Sequence, residues 1–264
     1  MKIKWVFLLI LASVYGTTVA SILSQEQLKI AEDALKKVIP QINISEAKIE
    51  LIQPDLYKII ANAEIFYVSK DGKYFFHGDL IDLTEKNTKN WNITEVAQRT
   101  VRKAELGKFL KKDMLIFKQK HRHHRQHHKH KPIGIATVFA DISCPYSRRL
   151  HKEVEEAVAA GLEVRYLFFP RAGVGSDSYK KAVSIWCGKD RNKEFSMANN
   201  DEAEAIPDRT CRDNPIEDQF NFARKIGVNA TPTILLENGT IIPGYVTADK
   251  LLSLVREANA SSGS

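Results

Sequence analysis

The sequence predicts an α+β N-terminal dimerisation domain, a linker helix, and a C-terminal α/β domain carrying a helical insertion. Three observations support this. One amphipathic helix and a few short β segments fill residues 21–90, a thin core for a free-standing unit. A basic amphipathic stretch follows from about Ile93 to Lys111. From Ile133 the run IGIATVFA is continuously apolar over strand length, as expected of a strand buried on both faces, and a cysteine follows it at a helix start.

The chain has 264 residues, of which 44% are hydrophobic, enough for a packed core. Residues 1–20 read as a signal peptide. Lys2 and Lys4 give a positive start, the apolar run from Trp5 to Val14 is too short to span a bilayer, and Thr18-Val19-Ala20 offers a small-residue cleavage site. Export places the mature protein in an oxidising compartment. The formal charge of +7 is a mild basic bias, and no nucleic-acid partner is expected of an exported protein.

Ser24 and Gln27 have capping-box spacing. Leu28, Ala31, Leu35 and Val38 line one face of the helix they open, and Pro40 ends it. Lys48–Ile52 and Leu56–Ile60 read as strands. EIFYVSKDGKYFFHGDLIDL reads as a hairpin, with Asp71-Gly72 as a type I′ turn. So few elements leave an open sheet edge, and covering it predicts dimerisation.

Asn92 and Glu95 have cap spacing, and Ile93, Val96, Ala97, Val101 and Ala104 follow at helical intervals. After a short apolar stretch, Met114 to Phe117, comes the run KQKHRHHRQHHKHKP. It holds His121, His123, His124, His127, His128 and His130. Imidazoles suit zinc, copper or nickel. No fixed geometry can be argued for them, so the run reads as a solvated basic segment without a resident metal. It completes a linker region of residues 91–132.

In residues 133–264 the first strand leads into a helix with Leu150, Val154, Ala157 and Val158 on one face, closed by Gly161. LEVRYLFF is a second strand, and a mostly helical stretch runs to about Gly227. TPTILLENGTIIPGY then reads as strand, turn at Asn238-Gly239, and strand, before a helix from Ala248 to Glu257. The order β-α-β, helical insertion, β-β-α is a thioredoxin-like pattern.

The cysteines are Cys144, Cys187 and Cys211. Spacing favours a Cys187–Cys211 pair, though other pairings stay open by arithmetic alone. Cys144 stands where a strand gives way to a helix, with Pro145 suited to the first turn. Unpaired N–H groups there favour a thiolate, the form that attacks disulfides, and Arg148 and Arg149 add positive charge nearby. Thr231-Pro232 precedes a strand. A cis bond there would set a peptide edge beside Cys144, while a plain strand-opening proline is the alternative. His77 and His151 read as ordinary residues.

The segments FADISCPYSRRLHKEV, YLFFPRAG, IWCGKDRNKEF leading to Cys211, and GVNATPTILLENGTIIPGY resemble the DsbC/DsbG family of periplasmic disulfide-bond isomerases. The resemblance spans essentially the whole mature chain. It implies a periplasmic V-shaped homodimer with thioredoxin domains on its arms, acting without a cofactor on misfolded disulfide-containing exported proteins. Cys144 then matches the attacking cysteine and Thr231-Pro232 the cis-proline pair. With Pro145 and Tyr146 these two would meet the substrate, and Cys187–Cys211 would be a structural disulfide.

The departure is Ser147, where the family has its second active-site cysteine. Exchange runs through a mixed disulfide, and without a resolving thiol the remaining route is attack by another substrate thiol, by glutathione or by a membrane thiol reductant. The sequence reads as a monothiol isomerase with chaperone activity. The alternatives are a non-catalytic chaperone and a thiol-linked partner of a secretion or conjugation apparatus.

Overall fold

The computed structural model describes residues 23–52, 55–86, 91–119 and 132–261. The leader at 1–20 and the histidines at 121–130 lie outside the described residues.

Helix α1 (Gln25–Val38) opens with the capping box: the Ser24 hydroxyl accepts from the Gln27 N–H, and the Gln27 side chain accepts from the Ser24 N–H. Its buried residues are Ala31, Ala34 and Leu35. They pack on Tyr57, Ile59 and Phe66 of an antiparallel sheet ordered β1-β2-β3-β4. The strands are β1 (Lys48–Ile52), β2 (Leu56–Ala61), β3 (Glu64–Ser69) and β4 (Phe75–Phe76). Fully burying a side chain such as Leu35 contributes about 2 kcal/mol. Val38, expected on the buried face, is 51% exposed, at the last turn of α1.

The turn at Asp71-Gly72 differs from the expected type I′. Only Gly72 has positive φ, and the Asp71 carboxylate accepts from the Ser69 hydroxyl and the Lys73 N–H, closing a longer loop. The two-residue turn with both φ values positive lies one hairpin earlier, at Asn62 (51°) and Ala63 (67°), between β2 and β3.

Helix α2 (Ile93–Leu106) is capped by the Asn92 side chain, which accepts from the Glu95 N–H. It stops short of the expected Lys111. Gly107 ends it, and Phe109 leaves the helical path to pack on Phe222, with ring centroids 4.7 Å apart. One face of α2 packs on the N-terminal sheet: Ala97 and Val101 pack with Ile65 and Tyr67, and the Thr94 and Tyr67 hydroxyls lie 2.7 Å apart. Another face, at Arg99, Arg102 and Glu105, lies on the C-terminal domain. Gly239 (φ 87°) sits so close to α2 that a Cβ there would fall on the Arg99 carbonyl. Arg102 Nη1 donates to the Gly239 carbonyl at 3.3 Å, and Glu105 pairs with Lys225 at 3.0 Å.

The C-terminal domain is built on a five-stranded sheet ordered β5-β7-β6-β8-β9. Its strands are β5 (Leu115–Phe117), β6 (Gly134–Ala140), β7 (Leu162–Phe168), β8 (Thr233–Leu236) and β9 (Ile241–Pro243). β6 and β7 are parallel, and the other pairs are antiparallel. The apolar stretch before the histidine run is thus an edge strand, upstream of the boundary expected at residue 133. α3 (Pro145–Ala159) and α7 (Ala248–Ser261) cover one face. The insertion contributes α4 (Asp177–Trp186) and α5 (Arg191–Asn199) to the same core, while α6 (Ile216–Lys225) packs Phe222 and Ala223 against the other face. Thioredoxin-like α/β topology with a helical insertion is therefore what the chain folds into. Cys187, at the end of α4, is bonded to Cys211, ahead of α6, and Cys144 is the free cysteine.

Candidate active site

The site forms where β6 ends. Asp141 turns the chain: its backbone carbonyl accepts from the Cys144 N–H at 2.9 Å. Its buried carboxylate accepts from the Ser143 N–H (2.8 Å) and hydroxyl (2.7 Å) through Oδ1, and from the Arg171 N–H (2.9 Å) through Oδ2. Arg171 also pairs with Asp141 through its side chain at 3.4 Å. A charged residue directly after a continuous apolar run was the sequence signal for this anchor, and it was not singled out there.

Cys144 is the N-cap of α3 and Pro145 occupies the first turn, where a missing N–H costs nothing. Cys144 is 1% exposed. Its Sγ donates to the Thr231 carbonyl oxygen at 3.2 Å, joining residues 87 apart in sequence. The Thr231–Pro232 bond is cis, and both residues are buried. Thr231 Oγ1 is buried with no hydrogen-bond partner among the described residues. Ser147 is also buried, and its Oγ accepts weakly from the Asp141 N–H at 3.4 Å. Pro145 and Tyr146 face outward, Tyr146 at 60% exposure.

Burial pushes the Cys144 thiol up, but the Thr231 side chain, the Ser147 and Tyr146 N–H groups and the Ser147 hydroxyl outweigh it and hold the pKa below the ordinary thiol value. The arginines expected to help are engaged elsewhere. Arg148 is ion-paired with Asp201, and the Arg149 guanidinium stacks over the Tyr245 ring, 4.3 Å from its centroid. The low thiol pKa arises from the Thr231 side chain and the donors at the start of α3, while both arginines are held by other partners.

Two residues on the same helix reach further. The Glu153 carboxylate accepts from the Tyr245 hydroxyl at 2.6 Å and from the Ala248 N–H at 3.1 Å, and these bonds, the Tyr245 one foremost, hold its carboxyl below the usual range. His151 is buried, with Nδ1 3.1 Å from the Tyr166 hydroxyl and Nε2 3.0 Å from the Ser196 hydroxyl, and burial lowers its pKa to about 4. His77 is exposed in the N-terminal domain, where its Nε2 lies 3.9 Å from Glu64. No cluster of metal-ligating side chains occurs among the described residues.

A lone thiol at a helix start, backed by Thr231-Pro232, is an arrangement for thiol–disulfide chemistry. Residues 22–95 match the disulfide bond isomerase protein N-terminal domain, and residues 119–259 match a thioredoxin-like domain family. The chain is 34% identical over 189 residues to the thiol:disulfide interchange protein DsbC of Escherichia coli (strain K12), spanning 71% of each chain. This chain belongs to the DsbC family. Its likeness to DsbC of Dickeya dadantii (strain 3937) is 29% over 233 residues, 88% of this chain and 90% of the other. A crystal structure of a disulfide interchange protein from Neisseria gonorrhoeae superposes with a TM-score of 0.47 at 24% identity, over 57% of this chain and 98% of that one. Within this DsbC-family chain the position three after the free cysteine is Ser147, so Cys144 has no thiol partner in its own helix turn.

Proposed function

We propose that this DsbC-family protein is an exported homodimeric disulfide isomerase that works through one thiol, Cys144. The observation that carries the reading is a free cysteine capping α3, its pKa lowered by the Thr231 side chain and helix-start donors, with Ser147 one turn on. Exchange begins when the covered Sγ leaves the Thr231 carbonyl and attacks a substrate disulfide as thiolate. An Sγ–S bond forms to one substrate sulfur while the substrate S–S bond breaks, and the other sulfur departs as thiolate and takes up a proton. A second substrate thiolate then attacks the bound substrate sulfur, makes a new substrate disulfide and returns Cys144 as thiolate. Electrons balance within the substrate, so the cycle reshuffles disulfides with no net oxidation. Where no substrate thiol is in reach, glutathione or a membrane thiol reductant releases the complex.

Thr231, Pro232, Pro145 and Tyr146 line the place where an extended substrate segment meets Sγ. The partners are misfolded disulfide-containing proteins of the periplasm. Dimerisation through the N-terminal domain is supported by its two-residue edge strand β4 and by the exposed Tyr74, Phe76 and Leu83. A dimer would enclose a cleft in which unfolded chains are held, adding chaperone activity. The test is refolding of a scrambled multi-disulfide substrate by the natural protein and by Cys144→Ala, with non-reducing gels to trap mixed disulfides. Cys144-dependent reshuffling supports the reading. Equal refolding by both proteins would leave only a chaperone.

A further inference from the structure

We propose that Tyr245 and Glu153 are positioning residues of the exchange site, tying the helix that carries Cys144 to the segment that carries Thr231 and Pro232. The inference rests on the exchange reading above and names how that site keeps its geometry.

Cys144 and Thr231 lie on different elements, and one contact between them, Sγ to carbonyl oxygen, would not by itself hold their separation. A second connection runs the other way round. Glu153 is on α3, on the same face as Arg149 one turn earlier. Its carboxylate accepts from the Tyr245 hydroxyl at 2.6 Å, while Arg149 covers the Tyr245 ring. The next residue back, Gly244, donates its N–H to the Pro232 carbonyl at 2.8 Å, and Thr233 pairs with Pro243 in the β8–β9 ladder. The contacts therefore close a ring: Cys144, down α3 to Arg149 and Glu153, across to Tyr245, through Gly244 to Pro232, and from Thr231 back to Sγ. The clamp also fixes α7, because Glu153 accepts from the Ala248 N–H.

Tyr245 is half-buried in the segment after β9, with its contacts to α3, so its effect is on where Thr231 sits relative to the sulfur. Loosening the clamp lets the Thr231 segment drift, and the thiolate then loses a donor. The charged groups around the sulfur's turn keep their partners in Tyr245→Phe, Asp141 with Arg171, Arg148 with Asp201 and Arg149 over the aromatic ring, so the shift reports the Thr231 distance.

The experiment uses the full-length protein. Tyr245→Phe keeps the ring and its cation–π contact and removes only the hydroxyl. The midpoint of the pH profile for Cys144 alkylation is expected to rise by about half a unit, and alkylation at pH values below the midpoint to slow about threefold. With scrambled substrate, KM should rise about threefold and kcat change less than about twofold. Glu153→Gln, which keeps one oxygen acceptor, should fall between Tyr245→Phe and the natural protein, and Glu155→Ala, an exposed site on α3, should match the natural protein. An unchanged midpoint and KM in Tyr245→Phe, with or without a lower Tm, would show that the clamp is structural only. The alkylation profile needs no disulfide substrate. A natural protein that fails to reshuffle while Tyr245→Phe still moves the midpoint would sink the exchange reading and leave the positioning intact.

Discussion

Cys144 Sγ lies 3.2 Å from the carbonyl oxygen of Thr231, and the Thr231 hydroxyl is buried beside it without a partner among the described residues. A thiol can donate to that carbonyl, but a thiolate cannot. On ionisation the sulfur becomes an acceptor, and the idle Thr231 hydroxyl joins the Ser147 hydroxyl as a side-chain donor to it. The pair thus favours the charged form more than the carbonyl contact alone suggests.

Thr231→Val removes the hydroxyl and keeps the side-chain volume. The Cys144 alkylation midpoint should rise by roughly one pH unit, the scale of one hydrogen bond to a charged atom. Alkylation followed by mass spectrometry across pH 5–10 checks this, and a midpoint that stays in place would remove Thr231 from the account of the low thiol pKa.

Gly239→Ala should undock the linker. The residue has φ of 87°, and a Cβ would meet the Arg99 backbone of α2, which cannot move without carrying the helix. A loss of about 2 kcal/mol is expected from the left-handed backbone and the clash together. Urea unfolding measures the loss. Proteolysis should cut faster near the linker while Cys144 alkylation stays unchanged, because the thiol's donors all lie within the C-terminal domain.

His151 predicts an acid-labile core. The folded state holds its imidazole neutral, with a pKa lowered from 6.5 to about 4 by burial. The unfolded chain binds the proton first as pH falls, so stability is full above 6.5, falls between 6.5 and about 4, and levels off below. The full window corresponds to about 3 kcal/mol. His151→Gln retains hydrogen-bonding groups toward Tyr166 and Ser196 without titrating. The difference in urea midpoint between the two proteins should shrink steadily from pH 6.5 to 4. A constant difference would mean that His151 takes up its proton inside the fold.

The main elements could be read from local pattern because they follow period and caps. IGIATVFA became β6, the Ser24 box became α1, and the strand–turn–strand around Asn238-Gly239 became β8 and β9. The errors arose where tertiary contacts decide. Asn62-Ala63 lacks the glycine that marks a tight hairpin, yet β2 and β3 pack so well on α1 that the chain accepts a left-handed alanine. Leu115–Phe117 is too short for a periodic signal, and only pairing with β7 makes it a strand. Arg148 and Arg149 are placed correctly along the helix, but their charges go to Asp201 and the Tyr245 ring, partners that no local window contains. The Cys144–Thr231 approach, across 87 residues, was expected from the residues only on condition of a cis Thr231–Pro232 bond, and the family resemblance then matched that pair.

Ser147→Cys would restore the dithiol and should change the chemistry more than the stability. The hydroxyl is buried, accepts a weak 3.4 Å contact from the Asp141 N–H, adds the smallest of the hydrogen bonds that lower the Cys144 pKa, and differs from a thiol by one larger atom. On the proposed monothiol cycle, a mixed disulfide of the natural protein would persist until a substrate thiol or glutathione attacks it. With a second thiol one helical turn from Cys144, attack becomes intramolecular, so the lifetime of trapped complexes should fall at least about a hundredfold at neutral pH, given the effective concentrations that short tethers provide. The variant leaves that step as an internal disulfide and can then oxidise a dithiol substrate, a net two-electron change for which the serine protein has no 144–147 disulfide. Non-reducing gels of complexes chased without added thiol measure the lifetime, and oxidation of a reduced dithiol peptide measures the new activity. Complexes that persist equally in both proteins would show that residue 147 cannot reach the bound sulfur, and the absence of a resolving thiol would no longer explain a monothiol cycle.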